Sequence, residues 1–171
     1  MAELLTLDAL FLREVDDEEP RTLRALERVP QDRWDWAPHE KSMPMGRLAA
    51  HIATLPQVAT AILTTSNFDM AARRATAPPP PAGAADLVPT AQAMFHQARE
   101  RLAAATDADL SADWTFTVGE RSLFGPGPRA VALRTFFLSH LIHHRAQLGV
   151  YLRLCGVAVP ATYGPSADEP L

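Results

Sequence analysis

The chain has 171 residues, a mass of 18.7 kDa and a formal net charge of −4. That length suits one domain, 1–171, with a core of its own. Sixteen Lys and Arg against twenty Asp and Glu exclude the global basic footprint of a nucleic-acid binder and the basic surface that holds a protein on an anionic membrane.

No apolar run approaches the ~20 residues that span a bilayer. Glu3, Asp8, Arg13 and Glu14 interrupt the leucines near the N-terminus, which reads as helix rather than as an export signal, so a cytoplasmic protein is expected. The single Cys155 excludes an intramolecular disulfide and a Cys-based zinc cluster. A metal site in this chain has to be built from His and carboxylates.

In chain order, apolar spacing predicts a first helix from about Leu4 to Val29. Leu7, Leu10, Phe11 and Val15 form its stripe, which Leu23, Leu26 and Val29 resume, and Pro20 kinks or divides it. Pro30 to Ser42, with Trp34, Trp36 and Pro38, reads as an ordered loop. A second helix is expected from Met43 to about Thr65, with Ser42 as N-cap, Pro44 in the first turn and a bend at Pro56. Its inward stripe includes Leu48, His51, Ile52, Leu55, Val58 and Ile62. The stretch 65–89 is an Ala/Pro-rich connection, mobile or extended, that is disordered or covers a site.

A third helix is expected from Thr90 to Thr106, with Phe95, Ala98 and Leu102 inward. A loop or short hairpin follows over 107–128, in which Trp114, Phe116 and Val118 alternate with polar residues and Gly119–Glu120 supplies a turn. The fourth helix runs from Ala130 to Leu154 and closes at Gly156. Leu133, Phe137, His140, His144, Leu148 and Tyr151 keep helical periodicity along it. The tail, 157–171, has none. Four amphipathic helices predict an all-α, up-down four-helix bundle with long connections between helices 2–3 and 3–4.

The chemistry lies in the histidines. His140 and His144 stand one helical turn apart on one face, and two imidazoles so placed can chelate one ion. His143 is also within reach of His140, and spacing alone does not choose between it and His144. His51 lies on the inward stripe of the second helix. A lone His there is more often a hydrogen-bonded core residue, and an HxxxH pair alone is only moderately specific. If the two faces meet, three neutral nitrogens converge and leave an open coordination position, the layout of a catalytic metal site. Imidazole ligates only when neutral, so metal affinity is expected to fall below about pH 6.5. His39 reads as a loop hydrogen-bonder and His96 as a flank residue.

Two segments resemble the DinB/YfiT-like family of metal-binding four-helix bundles. DRWDWAPHEKSMPMGRLAAHIATL, Asp32 to Leu55, is similar to that family's entry into helix 2. SHLIHHRAQLGVYLRLCGVAVPATYGPSADE, Ser139 to Glu169, is similar to its fourth helix and tail, with the H-x-x-x-H, RAQ and Tyr-Gly-Pro-Ser elements. The resemblance implies the ligands His51, His140 and His144, with His143 a neighbour. It also implies a divalent ion such as nickel or zinc, and a homodimer. Arg145 and Gln147 match the RGQ-type positions, with Ala146 where Gly is more common. Relatives include transferases and isomerases that use a low-molecular-weight thiol.

The expectation is a metal-dependent transferase or hydrolase acting on a small molecule, with no nucleic-acid or membrane partner. The competing expectation is a stress-related bundle that binds metal or a small ligand without turnover.

Overall fold

The computed structural model of the chain describes residues 6–170. The start of helix 1 at Leu4 and the last residue of the tail lie outside the described residues. The helical elements are α1 (Leu7–Glu27), α2 (Met45–Thr54), α3 (Gln57–Thr64), α4 (Met70–Thr76), α5 (Leu87–Ala103), α6 (Asp107–Ser111), α7 (Arg129–Ala132) and α8 (His140–Leu154). A π-helical turn, Leu133–Ser139, joins α7 to α8 in one rod. Four long bodies, α1, α2 with α3, α5, and the α7–α8 rod, form the expected bundle. Consecutive bodies are not all neighbours: α1 packs chiefly on α5 and also on α8, and α2 packs on α5 and α8. The loop after α1 therefore crosses the end of the bundle.

Local chemistry sets the element boundaries. Pro20 is exposed inside α1, so the missing donor falls on the solvent side and the helix runs through it. Pro56 lies on the inner side and divides the second helix rather than bending it. Leu55 turns back to the Ile52 carbonyl in a tighter i−3 bond before α3 begins. The second helix starts at Met45, with Pro44 in the N-cap position and no side-chain cap, so Ser42 does not serve as one. Pro89 sits in the first turn of α5, where no donor is needed, and α5 begins at Leu87. At the other end of the chain's longest rod, Gly156 adopts φ +73°, a left-handed closing residue as expected.

The all-α expectation needs correction, because a small sheet packs against the bundle. β2 (Asp113–Val118) and β3 (Arg121–Pro128) form an antiparallel hairpin with Val118 opposite Arg121, and Gly119 turns it at φ +57°. β1 (Asn67–Asp69) pairs in parallel with β2 and comes from the connection expected to be mobile or extended. The physical cause is aromatic. Phe68, Trp114, Phe116 and Phe124 cluster with Phe136 of the rod, with ring centroids between 5.0 and 6.4 Å apart. Asp69 fastens the strand to its surroundings. One of its oxygens accepts from the Ala71 N–H, capping α4, and from the Gly119 N–H in the hairpin turn. Those backbone donors hold the Asp69 carboxyl below its ordinary range.

The core runs through Phe11, Val15 and Leu26 of α1, Leu48 and Ile52 of α2, and Phe95 and Leu102 of α5. From the rod it takes Leu133, Phe137, Leu141, Leu148 and Leu152. Leu7 and Leu10, expected in the inward stripe, are among the exposed apolar residues. The buried residues of α1 are Phe11, Val15, Glu18, Thr22, Ala25 and Leu26, with Val29 buried just past its end, so the expected stripe holds from Phe11 onward and takes in two polar members. Glu18 and Thr22 are buried because Arg145 of α8 enters the interface to meet them. Its guanidinium pairs with Glu18 at 2.6 Å and donates to the Thr22 hydroxyl at 3.0 Å.

The tail is folded onto this centre. Arg145 donates to the Tyr163 hydroxyl at 2.8 Å, and that hydroxyl donates to Glu18 Oε1 at 2.6 Å. Burial, followed by the bond to Glu18, pushes the Tyr163 phenol up, so it remains a donor. Further out, Glu169 pairs with Arg24 and Arg28, and Asp168 with Arg153. A segment without hydrophobic periodicity is thus held by charge.

Candidate metal centre

α2 and α8 pack face to face, and their contact brings His51, His140 and His144 together as the expected faces required. His140 Nε2 is 2.8 Å from His144 Nε2 and 3.4 Å from His51 Nε2. The ring of His51 lies 5.1 Å from that of His140 and 4.7 Å from that of His144, centroid to centroid. Each residue offers a nitrogen within 4.8 Å of the others.

Two ligands on a tetrahedral ion with bonds of about 2.05 Å sit about 3.3 Å apart, so the observed separations suit a shared ion. The donor set also suits one. All three groups are half-buried imidazoles held neutral. His51 is lowered to about 4, first by burial and then by the positive charge that His144, His140 and Arg47 would present. Burial likewise lowers His140 and His144. Three nitrogens pointing at one another without a carboxylate among them can hold a divalent cation.

Two contacts that sequence reasoning did not foresee hold the imidazoles in place. Gln147, one turn beyond His144, places its Oε1 2.6 Å from His144 Nδ1. An amide oxygen there accepts the Nδ1 proton and leaves Nε2 with a free lone pair facing the cluster. His140 hydrogen-bonds to the backbone carbonyl of Phe136, a residue of the π-helical turn. A π turn inside an α-helix frequently accompanies a site of function. Gln147 was legible as part of the RAQ motif, whereas nothing in the local sequence announces the π turn.

The remaining histidines stay apart. His143 is exposed, with its ring 4.9 Å from that of His144, and is not one of the three that converge. His39 accepts from the Lys41 N–H in its loop, as expected. His96 is exposed on α5 beside Glu100.

A cleft of about 420 Å³ reaches His51 from outside, lined by Trp34, Arg47, Thr54, Pro80 and Pro81 among others. Its floor depends on Gly46. A Cβ there would lie 2.2 Å from the Trp34 indole, so the ring is seated directly on the backbone of α2. The Ala/Pro connection forms one wall, and Pro78–Pro81 also lines a neighbouring groove of about 970 Å³ beside α3 and α5. Its proline segment, 77–82, is neither helix nor strand and covers this side of the bundle.

The protein is thus a mostly helical bundle, with a small sheet, whose three clustered histidines can hold a metal ion. It belongs to the DinB family, whose family model matches residues 1–170. The chain is 29% identical over 166 residues to YrdA of Bacillus subtilis strain 168, covering 96% of this chain and 92% of that protein. Its fold is similar to that of a DinB-like protein from Bacillus cereus ATCC 10987, with TM-score 0.70, 23% identity, and 94% and 100% of the two chains covered. It is also similar to the DinB-like protein YjoA of Bacillus subtilis, with TM-score 0.66, 21% identity, and 90% and 97% covered. Among the described residues, no helix is long and apolar enough to cross a membrane.

Proposed function

We propose that the protein is a divalent-metal-dependent enzyme in which His51, His140 and His144 hold the ion through their Nε2 atoms, nickel or zinc being the metal. The reaction is transfer of a low-molecular-weight thiol, or hydrolysis, on a small molecule in the cytoplasm. The observation that carries this reading is the convergence of three half-buried imidazoles with an open cleft at His51.

A divalent ion there supplies a lowered pKa to a neighbouring water or thiol, which yields a nucleophile at neutral pH. The protein's own part is orientation. Gln147 fixes the tautomer of His144, the Phe136 carbonyl fixes His140, and Trp34 with the proline wall keeps one side of the cleft dry. A non-catalytic metal-binding bundle is the second reading; it is favoured by the absence of a carboxylate from the three-His group.

The test is elemental analysis of the purified protein, followed by a screen of small thiols with electrophiles for adduct formation. About one equivalent of nickel or zinc and metal-dependent adduct formation are expected. Metal without turnover on any thiol or ester would leave the binding reading, and protein without metal would end both.

A homodimer is the proposed assembly. Val150 and Leu154 on the outer face of α8 are exposed apolar side chains that a second copy would cover. Light scattering at micromolar concentration is expected to give twice the chain mass, and a monomer would contradict the proposal.

A further inference from the structure

The cleft at His51 has a chemical bias. Arg47 lies one turn before His51 on α2, so both side chains leave the same helix face and line the same cleft. The arginines at the seams of the fold are paired: Arg24 and Arg28 with Glu169, Arg99 with Asp16 and Glu19, Arg145 with Glu18, and Arg153 with Asp168. Arg47 is exposed and forms no ion pair among the described residues. Asp35 shares the cleft but stays outside ion-pair distance of it. Apart from Thr54, the rest of the wall is apolar, and its stiff parts are the Trp34 indole, Pro44, Pro80 and Pro81. Proline rings and a seated indole lose little freedom when a flat apolar group lies against them.

Building on the metalloenzyme reading above, we propose that this cleft selects a small monoanionic substrate. Its carboxylate pairs with the Arg47 guanidinium, and its apolar body lies between Trp34 and Pro80–Pro81 with the reactive end directed to His51. The fork of an arginine suits a carboxylate because two parallel N–H donors meet its two oxygens. Asp35 on the same rim repels a second anionic group, which restricts the slot to one charge. Arg47 is the specificity-determining residue in this arrangement.

The probe is phenylacetate, compared with its neutral counterpart phenylacetamide. Binding is read from amide NMR shifts in the full chain, once with chelator present and once loaded with zinc. The chelated sample removes direct carboxylate–metal contact. Shifts at Trp34, Gly46, Ala50 and Thr54 are expected with phenylacetate, with phenylacetamide binding about tenfold more weakly, as suits one charge-assisted contact. Arg47→Gln should reduce phenylacetate to the level of phenylacetamide, and Arg47→Lys should fall between.

The proposal is overturned if phenylacetate fails to bind the chelated wild-type protein, binds elsewhere, or binds Arg47→Gln undiminished. Arg47-dependent binding in a protein that takes up no zinc would sink the metal reading and leave the slot standing. Zinc uptake with binding that ignores Arg47 would do the reverse.

Discussion

Arg145→Met should cost about 3–5 kcal/mol of folding stability, the usual effect of stranding one member of a buried ion pair. Arg145 and Glu18 are 4% and 7% exposed at their side chains, so water cannot replace the lost partner. The same substitution removes the donors to Thr22 and Tyr163, which loosens the tail at this centre while the Glu169 pairs with Arg24 and Arg28 remain. For a chain of this size the melting temperature should drop by roughly 10 °C or more. Adding Glu18→Leu to Arg145→Met should recover part of the loss, because the orphaned charge is then gone. Thermal and urea unfolding of the two variants measure this. A loss below 1 kcal/mol for Arg145→Met alone would mean that the centre is solvated and contributes little.

His51→Ala, His140→Ala and His144→Ala are each expected to abolish stoichiometric metal uptake, while His143→Ala leaves it largely intact. Two imidazoles rarely retain an ion that three hold, and His143 lies outside the cluster. Full metal content in the His51 variant would overturn the arrangement.

The same site makes the protein's stability depend on pH. An unfolded His titrates near ~6.5, whereas in the fold His51 is lowered to about 4 and His140 and His144 are also lowered. Between those limits the unfolded chain binds more protons, so the metal-free protein loses stability as pH falls from about 6.5 toward about 4. The His51 contribution is of the order of 2 kcal/mol after discounting for its partial exposure. Because the folded histidines stay neutral below the ordinary range, metal-linked stabilisation should persist undiminished at pH 6.5 and decline only below it. That is a lower window than free imidazole would give. Melting with and without chelator from pH 7.5 to pH 4 follows both effects. A chelator without effect at pH 7.5 would remove the metal from the account.

Much of the bundle was legible in the sequence because its signals are local. The 4-and-3 spacing of Leu133, Phe137, His140, His144 and Leu148 is a property of one helix, and so is the placement of His51 between Leu48 and Leu55. Gly156 and the Gly119 turn announce themselves through backbone freedom that other residues lack. The hairpin was visible as alternation, but its parallel partner β1 was not. Three residues have no periodicity, and parallel pairing joins segments some fifty positions apart.

The other surprises have the same origin. Glu18 and Thr22 interrupt an apolar stripe, so periodicity alone moves that face of α1 toward Leu7 and Leu10. They are buried because Arg145, more than a hundred residues later, brings a compensating charge and donors.

Which residues can ligate a metal, and on which helix faces they lie, follows from the helical repeat within a single element. Long-range contacts set the rest: the two faces meet, with Gln147 and the Phe136 carbonyl holding the imidazoles, the proline segment walls a cleft, and Arg47 stands in it without an ion-pair partner among the described residues. Those outcomes depend on packing between segments distant in the chain. Local spacing carries no record of which distant partner satisfies a buried charge or fills the space beside a ring.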